Sequence, residues 1–463
     1  MKRPIPFHLA LIPLLTTILI LVLLVFVLKL PLYIGLLIGA ITAFGIARAH
    51  GYSTQELAQA ALTGMKNTKP VVIIILVIGA LVPVWMASGT VPALVYYGLN
   101  LVNPEYLLAS AFVLTAATSM ILGTSIGTLS TMGVALLGIG FSLGLPKALV
   151  AGAVVSGAFF GERSSPMSSA ANLAASAVEI EFNKMLRFTL SSGILGFFLA
   201  LGGYLLLGLN FHVAPGHTQN SQLALALAKY FNISWPMLLP AVLVIVASLL
   251  KLPTKYSLGI GILAGGAIAL LMQNITYLEL SKIILLGYHA HTGSVEIDSV
   301  LKGGGIIPIL SLNLLILTAG AFNGITAAAG MLQQIAEKLV AKIKSPPALV
   351  VTTILFSTAV ALVVCNQTLP ILMPGQLFRS LYDQRGIARE VLARTLTDSG
   401  LLISGLIPWN MVAILSATAI GVPTLEYAPY ALFLWFMPII TIVLAYLTLK
   451  HSCAFSEIAS VNH

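Results

Sequence analysis

Charge is what this sequence most lacks. Only 8% of its 463 residues are charged, whereas 58% are hydrophobic, and the mean hydropathy is +1.02. Soluble domains carry about 25% charged residues, so this chain has too little charge to cover a water-facing surface. Cysteine is also scarce, and the distant Cys365 and Cys453 exclude a disulfide scaffold and form no metal or redox motif. The composition predicts one polytopic membrane protein.

Long apolar runs are what the sequence has instead. They are continuous rather than alternating, which indicates membrane helices and not a transmembrane β-barrel. Several runs are shorter than the ~20 residues of a straight span, or are interrupted by Gly and Pro. We therefore predict an all-α integral membrane protein with about 10 to 13 membrane segments, some of them broken or re-entrant.

The basic residues predict an orientation. The net charge of +9 comes from Lys and Arg in short gaps between apolar runs, which indicates cytoplasmic loops rather than nucleic-acid binding. The first run, Leu9–Leu28, is too long for a signal-peptide core and predicts a retained helix with a cytoplasmic N-terminus in the cell (inner) membrane. Four arginines between Arg379 and Arg394 predict another cytoplasmic loop. If the Arg379–Arg394 loop lies on the same side of the membrane as the loop with Lys338, Lys342 and Lys344, a hairpin must lie between these two loops.

The chain also contains a faint internal repeat at an offset of about 242 residues. Gly123-Thr124-Ser125 aligns with Cys365-Asn366-Gln367, and Ser164-Ser165-Pro166 aligns with Leu406-Ile407-Pro408. Corresponding loops have opposite charge bias, which is typical of the inverted repeats of secondary transporters. We predict N-terminal helices over 1–69, a first repeat over 70–209, a linker with connecting helices over 210–303, a second repeat over 304–449 and a cytoplasmic tail over 450–463.

Two carboxylates are the main site candidates, because an ionisable group within a membrane is costly. Glu162 begins a Ser-rich polar segment between two apolar runs, and Asp398 precedes a run that Pro408 interrupts. Simpler alternatives are an ion pair between Glu162 and Arg163, and Asp398 as a helix N-cap. Hydroxyl, amide and freed carbonyl oxygens can replace the water shell of a cation. The predicted substrate path comprises Thr124, Ser125, Arg163, Ser168, Asn172, Asn366, Gln367 and Asn410.

Several short motifs occur between Val71 and Tyr446: Gly79-Ala80-Leu81, Ser88-Gly89-Thr90, Gly123-Thr124-Ser125, Ser156-Gly157-Ala158, Asp398-Ser399-Gly400 and Leu406-Ile407-Pro408-Trp409-Asn410. In these motifs the sequence resembles the NhaC family of sodium/proton antiporters, which includes a malate/lactate exchanger. The resemblance implies the fold and secondary transport. The family usually has acidic residues where Ser169 and Thr397 stand here, so the ion carried can differ from sodium.

The predicted function is exchange of protons for sodium or another small cation by alternating access, with Asp398 and Glu162 as the binding carboxylates. An organic-anion exchanger is the first alternative, since Arg163 could bind a substrate carboxylate. A passive channel or a membrane scaffold is the alternative from another class. We expect no enzyme activity, no cofactor, no metal beyond the transported cation and no nucleic-acid partner. Expected partners are the cation, the proton, a small organic acid in the alternative case, the lipid bilayer and a second copy in a homodimer.

Overall fold

The computed structural model describes residues 5–99, 104–209, 228–290, 302–340 and 345–460. The helices of the first half are α1 Phe7–Leu23, α2 Tyr33–Ala49, α3 Thr54–Asn67, α4 Lys69–Ala87, α5 Thr90–Leu99, α6 Leu107–Leu122, α7 Ser125–Thr128, α8 Val134–Ser142, α9 Lys147–Ser164, α10 Ser169–Val178 and α11 Phe182–Leu209. Those of the second half are α12 Leu239–Leu249, α13 Thr254–Met272, α14 Tyr277–Leu286, α15 Leu310–Ala328, α16 Met331–Val340, α17 Pro346–Val364, α18 Thr368–Gln384, α19 Arg389–Leu396, α20 Leu402–Ser404, α21 Met411–Ile420, α22 Thr424–Tyr427 and α23 Leu432–Ser460.

Other local structures connect these helices. Single π-helical turns extend α1 (Leu24–Leu28), join α7 to α8 (Leu129–Gly133) and join α19 to α20 (Thr397–Leu401). Two-residue strands, β1 Tyr288–His289 and β2 Lys302–Gly303, pair antiparallel. The prediction of an all-α polytopic membrane protein is thus confirmed. In the described residues, seven helices are long and apolar enough to cross a membrane, four shorter helices are apolar, and a bent pair turns by 89°.

One end of the molecule carries a cluster of charges, which we call the ion-pair face: Glu179, Lys184, Arg379, Asp383, Arg389 and Glu390. Arg389 donates to both carboxylate oxygens of Asp383, at 2.9 and 2.7 Å. These hydrogen bonds hold the pKa of the exposed Asp383 below its usual value. Because the six residues stand at or beside the ends of α10, α11, α18 and α19, those four helix ends lie at the same face.

Helices α17 and α18 form a hairpin that enters from the ion-pair face. Thr353 Oγ1 lies 3.2 Å from Tyr382 Oη near the outer end, and Ser357 donates to the carbonyl of Pro370 at 2.5 Å near the tip. At the tip Cys365 has the left-handed φ of 52°, which ends α17 and reverses the chain. A hairpin at this position places Lys338 and the Arg379–Arg394 loop on the same side of the membrane, as their basic residues require. Lys342 and Lys344 lie outside the described residues.

Helices α6, α7 and α8 form a second hairpin. Its tip is Gly123, with a φ of 71°, and Thr124 then caps α7 by accepting a hydrogen bond from the Gly127 amide at 3.4 Å. The outer ends of α6 and α8 lie close together, because a Cβ added to Gly140 of α8 would lie 3.1 Å from Leu107 Cδ2 of α6. The tips of the two hairpins correspond at the repeat offset of 242 residues.

Helix bounds repeat along the chain as well. Adding 241 to the bounds of α4 and α5 gives those of α15 and α16, and adding 242 to α10 gives α21. The packing is reciprocal, since α10 contacts α18 of the other half and α21 contacts α7 and α8. Reciprocal contacts between equivalent elements are what a two-fold arrangement produces.

Equivalent helices α9 and α19 run in opposite directions. Helix α11 starts at the ion-pair face and reaches Tyr204 about 30 Å further along. The Tyr204 hydroxyl donates to the carbonyl of Gly152 near the start of α9, whereas Arg163 near its end donates to the carbonyl of Thr189. Helix α9 therefore runs toward the ion-pair face, while α19 starts there at Arg389. This is the geometry of an inverted pair.

The core is centred on α9, in which every residue from Leu149 to Ser164 is buried. It packs on α6 at backbone distance, because a Cβ added to Gly157 would lie 2.1 Å from Thr115 Oγ1, and one added to Gly161 would lie 2.3 Å from Ser119 Cβ. Small residues at helix interfaces allow such close approach in membranes. The close packing fixes the end of α9, with Glu162 and Arg163, between the two hairpin tips.

Candidate functional site

Glu162 lies in the last turn of α9 and is 9% exposed. The side chains of Ser125, the first residue of α7, and Gln367, directly before α18, lie beside its carboxylate. One residue from each hairpin tip thus meets the same carboxylate. Within the described part of the chain, neither Glu162 Oε2 nor Ser125 Oγ has a hydrogen-bond partner, although both atoms are buried. Buried oxygens without partners are unusual in proteins, and they are available to a ligand.

The second tip is held in place by side-chain hydrogen bonds. Asn366 Oδ1 accepts from the Leu369 amide at 3.0 Å, and Gln367 Nε2 donates to the carbonyl of Leu401 at 3.3 Å. Asn410 is fully buried, donates from Nδ2 to the carbonyl of Ala361 at 3.1 Å, and caps α21 through Oδ1. The Pro408-Trp409-Asn410 break therefore packs on the end of α17. Asn366, Gln367 and Asn410 therefore lie together at the second tip, and their role in a substrate path stays a prediction.

Arg163 and Asp398 form an ion pair in which both side chains are completely buried. Arg163 donates from Nε to Asp398 Oδ1, from Nη1 to the carbonyl of Thr189 and from Nη2 to Ser192 Oγ, the last two at 3.1 Å. Asp398 Oδ2 accepts from Thr441 Oγ1 at 2.5 Å. Each side chain thus neutralises the charge of the other, and hydrogen bonds and close packing surround both, as a buried ion pair requires.

This pairing decides between the alternatives left open by the sequence. Arg163 pairs with Asp398 and not with its neighbour Glu162, since adjacent residues of a helix project about 100° apart. Asp398 lies within the π-helical turn Thr397–Leu401, so it is not the N-cap of a helix. The two carboxylates are therefore different: Asp398 is neutralised by a cation of the protein, and Glu162 is not.

The other predicted path residues have local roles. Thr124 is partly buried and caps α7, and Ser168 caps α10 by accepting from the Ala171 amide at 3.1 Å. Asn172 is exposed one turn later. The sequence reasoning missed Thr189, Ser192 and Thr441, which surround the ion pair. Their only signal was a hydroxyl inside an apolar run, and such hydroxyls usually bond to their own helix, so they do not stand out.

Comparison with known proteins gives a family that fits this arrangement. The model of the Na+/H+ antiporter family matches residues 6–181 and 157–449, which together cover most of the chain. The chain belongs to the Na+/H+ antiporter family. Membership confirms the resemblance inferred from the sequence motifs, and with it secondary active antiport by a multi-pass membrane protein.

The names of proteins similar to this chain specify different substrates. The Na+/H+ antiporter NhaC of Alkalihalophilus pseudofirmus is 35% identical over 91% of this chain and 91% of its own length. The malate-2H+/Na+-lactate antiporter of Bacillus subtilis is 30% identical, covering 87% and 86% of the two chains. The arginine/ornithine antiporter ArcD of Halobacterium salinarum is 29% identical, covering 90% and 86%. All three names share antiport and differ in the substrate.

Proposed function

We propose that the protein exchanges protons for sodium or another small cation, and that Glu162 carries both in turn. The observation that carries this proposal is the unpartnered Oε2 of Glu162, buried beside Ser125 and Gln367 at the meeting point of the hairpin tips. A carboxylate at this depth is costly unless a proton or a cation neutralises it. Since one charge serves both ligands, a proton and a cation exclude each other, and this competition couples their fluxes.

The neighbouring groups are suited to a hard cation. The Ser125 hydroxyl oxygen would join the carboxylate as a ligand and replace part of the water shell, and the Gln367 amide group lies beside the same carboxylate. Arg163 is less suited to a substrate carboxylate, because its three nitrogens already donate to Asp398, Thr189 and Ser192. This occupancy favours cation exchange over the organic-anion alternative.

We propose that the repeats 70–209 and 304–449 supply the two access routes. Each contributes one hairpin, and the hairpins approach Glu162 from opposite faces. Movement of one half relative to the other would open the site beside one tip while the other tip stays packed. The Arg163–Asp398 pair joins α9 of the first half to the π-helical turn of the second, so we assign it a positioning role at the pivot. We place the ion-pair face on the cytoplasmic side of a cell membrane, because the segments that reach it carry Lys184 and Arg187 and the four arginines from Arg379 to Arg394.

Purified protein in proteoliposomes tests the assignment. With a pH-sensitive dye inside, an imposed sodium gradient should move protons, and Glu162→Gln should abolish this movement. The matched control is Glu426→Gln, an exposed carboxylate in α22, which should leave the rate unchanged. Lowering the pH should raise the apparent KM of the wild type for the cation, since protons occupy the same carboxylate.

Three results would contradict the proposal. Sodium-driven proton movement at the wild-type rate in Glu162→Gln would remove Glu162 from the mechanism. Flux driven by malate or lactate, and not by sodium, lithium or potassium, would establish the organic-anion alternative. Ion movement without counter-movement of protons would indicate a channel.

A further inference from the structure

A cavity of about 1030 Å³ lies away from Glu162, between α1, α4, α15 and α21. Its walls are apolar and include Ile78 and Val82 of α4, Ile309 and Leu312 beside or within α15, and Ile414 of α21. Pro408, at the break before α21, lies at its inner end, and it continues along α21 as far as Gly421 and Leu425. The stretch from Ile414 to Gly421 alone is about 10 Å long.

The cavity opens sideways, where lipid surrounds the protein. Leu30 and Leu425 both belong to its wall and are 48% and 43% exposed. Since α21 runs from the hairpin-tip region toward the face opposite the ion-pair face, the cavity occupies that half of the membrane. An apolar space that opens to the bilayer will take apolar chains rather than remain hydrated, because water gains no hydrogen bonds from its walls.

Two basic side chains stand in this apolar wall. Lys29, directly after the π-helical turn of α1, and His289 of β1 both line the cavity, and both are exposed. Among the described residues that line it there is no Asp or Glu. The cavity therefore combines a long apolar interior with positive charge, or hydrogen-bond donors, toward the water-facing end. An anionic head group with hydrocarbon chains has the complementary distribution.

We propose that this cavity binds one anionic phospholipid, with an acyl chain along α21 toward Pro408 and the phosphate beside Lys29 and His289. Bound in this way, the lipid packs against the break of the second half from the side opposite the hairpin tip. A neutral phospholipid would fill the same apolar space but would lack the additional attraction of a net negative head group.

Photo-crosslinking of the full chain in detergent micelles tests the proposal. The probes are phosphatidylglycerol and phosphatidylcholine with a diazirine in the acyl chain, and the adducts are located by mass spectrometry. We expect phosphatidylglycerol adducts on the peptide that contains Ile414 and Thr418. We expect a loss of about fivefold for Lys29→Ala, and a smaller loss for His289→Ala, which removes a hydrogen-bond donor. Lys255→Ala, an exposed lysine outside the cavity, should change nothing.

A second pair of variants tests the acyl-chain position independently of charge. Ala417→Trp should fill the cavity and remove the adducts, whereas Ala327→Trp, on the exposed side of α15, should retain them. If Ala417→Trp fails to fold, the charge variants decide. Adducts confined to fully lipid-facing residues such as Leu263 and Leu271, or equal labelling by both lipids that is insensitive to Lys29→Ala and His289→Ala, would overturn the proposal.

Discussion

Removing the charge of Asp398 should destabilise the protein far more than removing any surface charge. Asp398→Asn keeps the shape of the side chain but leaves the Arg163 guanidinium fully buried without its counter-ion. Breaking one partner of a buried ion pair costs about 3–5 kcal/mol, which is a factor of roughly 10² to 10³ or more in the folding equilibrium. Thr441→Val removes only the hydroxyl that donates to Asp398 and should cost about 1.5–3 kcal/mol.

The matched control is Arg389→Gln at the ion-pair face. Arg389 and Asp383 are 33% and 41% exposed, so the loss of their solvent-screened pair should cost far less stability than Asp398→Asn. A double variant, Arg163→Met with Asp398→Leu, replaces both charges by apolar groups and should recover most of the stability lost by Asp398→Asn.

Equilibrium unfolding in mixed micelles with increasing sodium dodecyl sulfate, followed by tryptophan fluorescence, measures these differences. If Asp398→Asn were no less stable than Arg389→Gln, the buried pair would not be a stabilising contact, and its positioning role would fail with it. A comparison of Asp398→Asn with Glu162→Gln distinguishes the roles of the two carboxylates. Glu162→Gln should lose transport while keeping or gaining stability, since it removes a buried charge that has no partner.

Three further changes test the site and its packing. Ser125→Ala should raise the apparent KM for the cation about tenfold, because it removes one oxygen ligand that contributes ~1.4 kcal/mol to binding. The unfolding curve of this variant should change little. Gly157→Ala should cost about 1–3 kcal/mol in the same unfolding assay, because its Cβ would meet Thr115 and the carbonyl of Phe112, whereas Gly202→Ala, with open space around it, should cost nothing. Ser53→Ala should remove the capping box of α3 and lower stability by ~1 kcal/mol, and an equally stable variant would show that packing, mainly on α15, holds α3 without its cap.

The architecture was largely predictable because its signals are local or periodic. The apolar runs, the Gly123 and Pro408 breaks and the repeat offset are visible in one sequence. In the structure α6 ends at Leu122, directly before Gly123, and α21 starts at Met411, after the Pro408 break. Opposite loop charge predicted an inverted arrangement, and the opposite directions of α9 and α19 agree with it. The division of the chain at 70–209 and 304–449 stays a prediction.

The site was predictable only in part. The sequence identifies Glu162, Ser125 and Gln367 as separate candidates. Nothing in it indicates that Glu162 keeps a free oxygen while Asp398 does not. That difference depends on the Arg163–Asp398 contact, which joins residues 235 positions apart and is set by how the two halves pack. A carboxylate in an apolar run has the same sequence context whether or not an arginine reaches it.

The separation of Arg163 from Asp398 along the chain also has a consequence for biosynthesis. At about 5–20 residues per second, Asp398 leaves the ribosome about 12 to 47 s after Arg163, because the two residues are 235 positions apart. Throughout that interval the last turn of α9 carries a guanidinium whose counter-ion does not yet exist, and an unpaired charge within a membrane is costly. Burial of Arg163 against its counter-ion is therefore a late event of translation, because it follows synthesis of the second half of the protein.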